Sequence, residues 1–377
     1  MRVAEYTQYG PPEVVAIAER PEPVPGAGRV RVRVHAAPVG SSDAAGRSGT
    51  PWFARLAYGF RAPKQQVLGS EFAGVVDALG PGVTRFAVGD RVFGATGVDA
   101  GAHADQVVVA ETSALVRLPG EVSMTDAAAI CDGAMTALPF LRDGAHVGPG
   151  ARVLVNGASG SVGSAAVQLA KHLGAEVTAT CGPAHVGLVR SLRADRVIDR
   201  TREDFTTARD AYDVVFDAVG RSTFRRSRRA LAAGGTYLTT VPSFAILLQQ
   251  LTSRIGRRRA VIMFTGLRRD AEKAPDLEYL AAIAAAGAFR PQIDRVLPLE
   301  RIAEAYRIVD SGHKAGSVIV TPVPVPVPVP VAEAEAEAKA TAKPAATPVP
   351  EPAEGGQADA AGSRGGAASA RPGETPS

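Results

Sequence analysis

The stretch from Arg152 to Cys181, which reads RVLVNGASGSVGSAAVQLAKHLGAEVTATC, constrains the fold more than any other part of the chain. It begins and ends with short β-branched runs, and between them the apolar residues recur at helical spacing. This pattern predicts a strand, a turn, a helix and a second strand. The turn carries three glycines with small residues between them, and it consists of Gly157, Ala158, Ser159, Gly160, Ser161, Val162 and Gly163.

A glycine turn in this position is suited to an anion. The glycines permit a tight turn and a close backbone approach, and Gly163 lets the helix pack against the strand. The first N–H groups of the helix and its dipole both attract a pyrophosphate. A strand, turn and helix unit of about 30 residues with this turn therefore predicts a dinucleotide site rather than an unrelated tight turn.

The end of the second strand bears on which dinucleotide binds. An Asp or Glu there would bind the ribose 2′-OH of NAD. This chain has Thr180 and Cys181 instead, and the basic residues His185 and Arg200 follow. An uncharged strand end with basic neighbours favours NADPH over NADH, because only NADPH presents the additional phosphate.

Length and composition divide the chain of 377 residues into two domains and a tail. We expect residues 1–122 to form a β-rich domain and residues 123–290 to form the nucleotide domain. From Pro322 the chain reads PVPVPVPVPV and continues with Ala, Glu, Gly, Ser and Pro. Such a composition buries too little apolar surface to offset its ordering entropy, so residues 322–377 are predicted to be a disordered tail.

The chain has two cysteines, begins without a secretory signal pattern, and carries no basic run interleaved with aromatic residues. These features predict a cytoplasmic protein with no nucleic-acid partner. The apolar stretch from Phe244 to Ile255 is too short to span a membrane. It is predicted to be a helix that serves as a pocket lid, a dimer contact or a surface-seeking segment. Its length favours the first two, so no membrane partner is expected.

Four motifs in order along the chain resemble those of one family: G-x-E-x-x-G-x-V at Gly69–Val76, V-G-D-R-V at Val88–Val92, the glycine turn, and D-A-V-G at Asp217–Gly220. Over about residues 1–321 the chain resembles the medium-chain dehydrogenase/reductase superfamily, and within it the zinc-free quinone oxidoreductase-like branch. The resemblance implies an α/β protein with a GroES-like β-barrel catalytic domain, a Rossmann domain with a doubly wound parallel sheet, and an active site in the cleft between them. It also implies that residues 291–321 return to the catalytic domain formed by residues 1–122.

Further cofactor residues come from the ends of the later strands and from the resemblance. Thr136 resembles a family threonine beside the cofactor amide, and Val219 and Gly220 end a buried strand close to the expected ribose. The segment RALAAGGTYLTTV is predicted to be a helix followed by a strand. Thr240 and Val241 then lie at the carboxyl end of that strand, where open α/β sheets bind ligands.

A catalytic zinc needs three protein ligands of Cys, His or carboxylate type. The positions at which zinc-bearing relatives have ligands read Gly40, Ser70 and Asp132 in this chain. Cys131 is one residue away from Asp132 and is predicted to be a buried residue beside the nicotinamide. Glu71 is expected to support the barrel or to pair with an arginine. We therefore predict no metal site.

Without a Lewis acid, hydrogen bonds must polarise the acceptor, which favours quinones or α,β-unsaturated carbonyls over simple alcohols. Relatives often have a Tyr or Lys where this chain has Ala45, so no proton donor is evident. Ser42, Asp43, Tyr58 and Lys64 are the polar residues expected to face the cleft.

The function expected from the resemblance is zinc-independent, NAD(P)H-dependent reduction of such small molecules. The alternatives are an NADPH-binding, redox-responsive protein with little turnover and an NADP-dependent alcohol dehydrogenase. A homodimer is possible on this resemblance.

Overall fold

The structure is a computed structural model that describes residues 1–50, 52, 55 and 58–322. The predicted disordered tail, apart from Pro322, lies outside the described residues. The strands are β1 Arg2–Glu5, β2 Ala16–Glu19, β3 Arg29–Pro38, β4 Glu71–Leu79, β5 Arg91–Ala95, β6 Gln106–Ala110, β7 Leu115–Arg117, β8 Arg152–Asn156, β9 Glu176–Cys181, β10 Arg196–Asp199, β11 Tyr212–Asp217, β12 Leu231–Thr239, β13 Arg259–Ile262, β14 Ile293–Pro298 and β15 Ser317–Thr321.

The α-helices are α1 Ser41–Ser48, α2 Met124–Ala129, α3 Met135–Pro139, α4 Ser161–His172, α5 Val186–Ser191, α6 Phe224–Ser227, α7 Phe244–Thr252, α8 Asp270–Ala285 and α9 Ile302–Ser311. Wider π-helical turns, Ile130–Ala134 and Phe140–Gly144, follow α2 and α3. Among the described residues, no helix combines the length and the apolar character that crossing a membrane requires.

The nucleotide half is built on a six-stranded parallel sheet with the order β10-β9-β8-β11-β12-β13. Successive residues of its strands point to opposite faces. Val153 and Val155 pack into the core that contains α4, whereas Leu154 between them packs into a second core on the other face, with Ile246 of α7. Both faces are therefore covered, and the predicted doubly wound parallel sheet is confirmed.

The other half holds a seven-stranded sheet with the order β14-β15-β3-β4-β5-β7, in which β6 also pairs with β3. Its pairs are antiparallel except for β14 with β15. Strands β14 and β15 and helix α9 come from the end of the described chain, so this segment joins the sheet formed by the first 120 residues. This segment forms a strand, a helix and a strand, and Gly312 ends α9 with a φ of 66°, in the left-handed region.

Helix α7 confirms the helix predicted from Phe244, and a 3₁₀ turn, Ser253–Ile255, extends it. It packs beside β13, the last strand of the parallel sheet. One polar side chain of the turn and one of the helix bind the outer N–H groups of that strand: Ser253 Oγ accepts from Ala260 N at 3.0 Å, and Gln250 Oε1 accepts from Ile262 N at 2.8 Å.

The helix predicted at the start of RALAAGGTYLTTV is wrong. The nearest helix, α6, ends at Ser227, and Leu231 already belongs to β12 and pairs with Tyr212. Two glycines follow, of which Gly234 has a φ of 87°, a conformation that does not continue a helix. Burial of Leu231 in the sheet core therefore outweighs the helix preference of the neighbouring alanines.

Candidate active site

A cleft with a volume of about 1410 Å³ lies at the carboxyl ends of the parallel strands. Its walls also include residues of α1, β4, the helical segment after α2, and the loop that follows α9. Both halves of the described chain therefore contribute to one cavity, at the position where open α/β sheets bind ligands.

The glycine turn forms one wall of this cleft. It connects β8 to α4, and Gly160 is the N-cap residue of the helix. No described residue accepts a hydrogen bond from the N–H groups of Ser161, Val162 or Gly163, so these donors are available at the positive end of the helix dipole. A Cβ on Gly163 would lie 2.1 Å from the carbonyl oxygen of Gly157, so only glycine fits there.

A chain of buried polar groups holds the turn in place. The hydroxyl of Thr180 donates to Asn156 Oδ1 at 2.6 Å, and Asn156 Nδ2 donates to Asp217 Oδ1 at 3.0 Å. Asp217 Oδ2 accepts from the hydroxyl of Tyr237 at 3.0 Å and from the N–H of Ser222 at 2.7 Å. These residues lie at or near the carboxyl ends of four neighbouring strands, so the network ties the turn to the sheet.

Most of the predicted cofactor residues line the cleft. They are Thr136, Gly157, Ser159, Gly160, Ser161, Val162, Gly163, Thr180, Cys181, His185, Arg200, Val219, Thr240 and Val241. Ala158 and Gly220 do not line it. Ala158 is fully buried and its N–H donates to the carbonyl of Thr180, while Gly220 has a φ of 65° and packs closely on Val241. Both residues therefore support the lining of the cleft without being part of it.

The strand end that bears on cofactor choice has the predicted uncharged character. Cys181 is buried, and burial raises the pKa of its thiol. Arg200 follows it in the lining with an exposed guanidinium that has no partner among the described residues. The lining also contains Glu203 and Asp204, which the sequence reasoning missed. Both are engaged by arginines, since Arg196 bonds Glu203 at 2.6 Å and Arg226 lies 3.4 Å from Asp204.

Two of the four predicted catalytic residues face the cleft. Ser42 is exposed in α1, and the hydroxyl of Tyr58 donates to the carbonyl of Ser42 at 3.2 Å. Burial, with smaller contributions from Asp43 and Glu71, raises the pKa of Tyr58 to about 12. Its phenol therefore keeps its proton at neutral pH and can donate it in a hydrogen bond.

The structure places the other two away from the lining. The carboxylate of Asp43 accepts from the N–H of Gly40 at 2.9 Å and of Gly69 at 3.3 Å, so it caps α1 and holds the loop before β4. Burial raises the pKa of Asp43. Lys64 is exposed, and the described contact it makes is a backbone hydrogen bond to Tyr58. The expectation that these two side chains face the cleft is therefore wrong.

The cleft contains a polar cluster that the sequence reasoning did not assemble. Lys314 Nζ lies 3.5 Å from Asp132 Oδ2 and 3.2 Å from the hydroxyl of Ser161, at the start of α4. Ser317 donates to the same carboxylate at 2.8 Å. The side chains of Lys314 and Asp132 are each 12% exposed, so this ion pair is screened far less than a surface pair.

Glu71 also lines the cleft, and no described residue pairs with its carboxyl group. The expected arginine partner is therefore absent among the described residues. Burial raises the pKa of Glu71 well above its usual range, and the nearby carboxylates Asp43 and Asp132 raise it further. The group consequently holds a proton at a pH where an exposed glutamate is ionised.

The three positions compared with zinc ligands do not assemble a metal site. Cys131 is buried with its thiol 3.7 Å from the carbonyl oxygen of Gly94, and it does not line the cleft. Within the described part of the chain, no three His, Cys, Asp or Glu side chains come together in a way that could hold a metal ion.

Comparison with known families matches both halves. Residues 26–120 match the alcohol dehydrogenase GroES-like domain, and residues 192–320 match the zinc-binding dehydrogenase family. The GroES-like half that the resemblance implied is thus confirmed. Among solved structures, the quinone oxidoreductase from Coxiella burnetii superposes with a TM-score of 0.76 at 26% identity, covering 85% of this chain and 99% of that one.

Two curated relatives illustrate the range of proteins in which such a chain occurs. The polyketide synthase GfsB of Streptomyces halstedii is 33% identical over 264 residues, which are 69% of this chain and 5% of the synthase, so the chain spans a small part of it. The chloroplast envelope quinone oxidoreductase homolog of Arabidopsis thaliana is 30% identical over 262 residues, covering 67% of this chain and 79% of that protein. The chain belongs to the medium-chain dehydrogenase/reductase superfamily, among quinone oxidoreductase-like relatives.

Proposed function

We propose that this chain is an NAD(P)H-dependent oxidoreductase that reduces quinones or α,β-unsaturated carbonyl compounds without zinc. One observation carries the proposal: a single cleft joins a glycine turn with unused N–H donors to a set of protonated side chains suited to an acceptor oxygen. The coarser activity agrees with the relatives, several of which are quinone oxidoreductases by name.

The residues of the turn fit a dinucleotide. The N–H groups of Ser161, Val162 and Gly163 would bind its pyrophosphate, and the polar network behind them fixes their direction. Val219, Thr240 and Val241 at the strand ends would line its ribose and nicotinamide. The nicotinamide supplies the hydride, and the protein supplies position and electrostatics.

The acceptor oxygen gains negative charge as it is reduced, so it needs donors that keep their protons. Tyr58 and Ser42 at one side of the cleft, and Glu71 in its lining, are such donors. The side chain of Lys314, 3.5 Å from Asp132, also lines the cleft. Together they offer hydrogen bonds in place of a Lewis acid. Quinones and enones require little more polarisation than this.

Steady-state oxidation of NADPH with a panel of 1,4-quinones, enones and ethanol tests the proposal. Quinones or enones should be reduced, a chelator should leave the rate unchanged, and ethanol with NADP should be barely oxidised. Dinucleotide binding without turnover of any acceptor would favour the redox-responsive binding protein instead. Alcohol oxidation that is lost on chelation and restored by zinc would favour a zinc-dependent alcohol dehydrogenase.

We further propose that NADPH is preferred over NADH, with Arg200 and His185 binding the 2′-phosphate. Arg200→Ala should weaken NADPH binding by about tenfold or more, because a charged hydrogen bond contributes roughly 1.5–3 kcal/mol, and should leave NADH binding nearly unchanged. Arg202→Ala is the matched control, since Arg202 is 87% exposed and outside the cleft lining. Wild-type protein that binds NADH at least about tenfold more tightly than NADPH would contradict the assignment.

A further inference from the structure

Residues 263–267, which we call the cleft loop, follow β13, and all five line the cleft. None of the five is buried, and Phe264 and Leu267 are 50% and 75% exposed. Met263 packs partly against the core, and the N–H of Leu267 donates to the carbonyl of Phe264 at 2.9 Å. A loop that buries so little of its own surface keeps one shape only if contacts from a neighbouring element hold its backbone.

Lys273 of α8 makes such a contact. Its ammonium group donates to the carbonyl of Gly266 at 2.8 Å, and the residue is 3% exposed. Lys273 is the fourth residue of α8, close to the helix N-terminus, where the helix dipole disfavours a cation. Its ion pair with Asp270 is as long as 4.0 Å. Burial of an ammonium group costs free energy, so the helix alone gives no reason for a lysine here, whereas the contact with the cleft loop does.

A second buried contact holds the end of the cleft loop. Arg268, the residue that follows the loop, donates to Asp276 of α8 at 2.6 Å. Asp276 is 3% exposed and also accepts from Arg142, at 2.6 Å, in the π-helical turn Phe140–Gly144. Buried charged groups of α8 therefore fix the cleft loop at two points.

The cleft loop lies at the end of the sheet that the nicotinamide half of a dinucleotide would reach. The strand order is β10-β9-β8-β11-β12-β13. The residues proposed for the 2′-phosphate, His185 and Arg200, follow β9 and β10, and the unused N–H donors follow β8. A dinucleotide that extends across the crevice in this direction continues over the ends of β11, β12 and β13. Its adenosine would then lie away from the cleft loop and its nicotinamide beside it.

We propose that Lys273 is a positioning residue for the nicotinamide: through the carbonyl of Gly266, it holds the cleft loop in the shape that receives this half of the cofactor. The inference rests on the proposed dinucleotide site. Lys273 itself does not line the cleft, so it acts through the loop. A loop that is already ordered loses little conformational entropy on binding, and this gain is felt only by ligands that reach the loop.

A role as the counter-charge of Glu71 explains Lys273 less well. Burial, followed by Asp43 and Asp132, raises the pKa of Glu71, and the opposing effect of Lys273 is smaller than each of these. No hydrogen bond or ion pair joins Lys273 to Glu71 in the part of the chain that the structure describes. The bond from Lys273 to Gly266, in contrast, is short and buried.

Calorimetric titration with two ligands tests the assignment without any acceptor present. One ligand is NADPH, and the other is 2′-phospho-ADP-ribose, which lacks the nicotinamide and keeps the rest of the cofactor. Lys273→Met removes the donor and keeps a side chain of similar length. It should weaken NADPH binding about tenfold and change the binding of 2′-phospho-ADP-ribose by less than about twofold. Arg268→Met removes the second contact and should shift the ratio of the two affinities in the same direction, so the test does not depend on one variant that folds.

Arg31→Met is the matched control, because the Arg31 side chain is a partly buried cation, 17% exposed, that bonds Asp77 at 2.8 Å outside the cleft lining. It should lower the melting temperature and still bind both ligands like the wild type. Amide hydrogen exchange of the free protein provides a second measurement. The bonded N–H groups of Leu267 and Arg268 should exchange at least about tenfold faster in Lys273→Met than in the wild type.

The outcomes separate the role of Lys273 from the proposed function. Equal weakening of both ligands, or unchanged exchange in the cleft loop, would overturn the positioning role and leave the proposed function intact. A selective loss of NADPH affinity that disappears when Glu71→Gln is also present would overturn it in favour of the counter-charge. Selective loss without turnover of any acceptor would support the positioning role and contradict the proposed reduction. Wild-type protein that binds neither ligand would contradict both.

Discussion

Among the residues that line the cleft, Gly163 is restricted to glycine by the close approach of the neighbouring backbone. Gly163→Ala should abolish dinucleotide binding and lower the melting temperature, because its Cβ would lie 2.1 Å from the carbonyl oxygen of Gly157. At Gly160 the nearest heavy atom to an added Cβ is 3.8 Å away and the backbone is extended, so Gly160→Val should lower the melting temperature much less, by no more than the loss of a favourable N-cap residue. It should still lose the dinucleotide, since its side chain would project into the cleft. Calorimetric melting and titration of both variants check this, and equal melting temperatures would contradict it.

Glu71 gives the site a pH dependence with a definite sign. Its pKa is raised in the folded protein, so the folded state holds a proton that the unfolded chain releases above about pH 4.3. With respect to this group, stability is highest at low pH and falls as the pH rises from the unfolded pKa toward the folded one. Glu71→Gln imitates the protonated form, so it should raise the melting temperature at pH 8 and change it little near pH 4.

Thermal melting across this pH range checks the prediction for Glu71. Glu278→Gln, on the exposed side of α8, is the control and should shift neither end of the range. A melting temperature that Glu71→Gln lowers at pH 8 and changes little near pH 4 would mean that Glu71 is ionised and bonded in the folded protein.

Some residues of the site could be predicted from the sequence and others could not. The glycine turn was predictable because steric need restricts those positions to glycine within one short segment. Asp132 and Ser317 are bonded across 185 positions of sequence, so nothing local indicates that they meet. Asp43 is a polar residue in a loop-like segment, which in sequence is typical of a cleft residue. Its hydrogen bonds to the backbone N–H groups of Gly40 and Gly69, visible only in the structure, reveal that it is a structural cap.

At the scale of elements, the ion pair between Lys314 and Asp132 links the loop after α9 to the helical segment after α2. Lys314→Met and Asp132→Asn should each destabilise the protein, and the double variant should cost less than the sum, with a coupling of about 1 kcal/mol. Lys314→Met should also lower kcat/KM for a quinone if its ammonium assists the acceptor oxygen, and Lys314→Arg should restore part of it.

Denaturant unfolding of the four proteins in this cycle gives the coupling directly. Lys273→Met serves as a comparison outside the cleft, because Lys273 is also buried but bonds the carbonyl of Gly266. It should destabilise the protein without a specific coupling to Asp132. Additive effects of Lys314→Met and Asp132→Asn would mean that the two side chains are adjacent but do not interact.

The order of elements was more predictable than their bounds. Strands β8 and β11 follow from continuous apolar runs and β9 from its β-branched residues, since both faces of these strands are buried. The start of β12 was mispredicted because Ala-rich segments favour a helix locally, while pairing with β11 depends on residues about 20 positions away. Boundaries of the two domains, at 122 and 290, stay a prediction.

At the scale of the whole molecule, the segment 323–377 should be dispensable for folding. Its proline repeat and its Ala, Glu and Gly composition provide no periodic apolar face that could pack. Truncation after Pro322 should change the melting temperature and the affinity for NADPH very little. The cut follows Pro322 because its carbonyl accepts a hydrogen bond from Arg2 at 2.6 Å. A fall of more than a few degrees would indicate that the segment packs on the rest of the chain.

The two hydrogen bonds that β13 donates to Gln250 of α7 and to Ser253 in the turn after it also protect the protein against self-association. The outer edge of a terminal strand can template the addition of a foreign strand, and proteins avoid this by covering or charging the edge. Here Gln250 and Ser253 occupy the N–H groups that an incoming strand would need. The same short helix exposes the side chains of Phe244, Leu247, Leu248 and Leu251, so its local detachment would expose more apolar surface and an open sheet edge together. Resistance to aggregation therefore depends on the local unfolding of α7 rather than on the global stability of the fold.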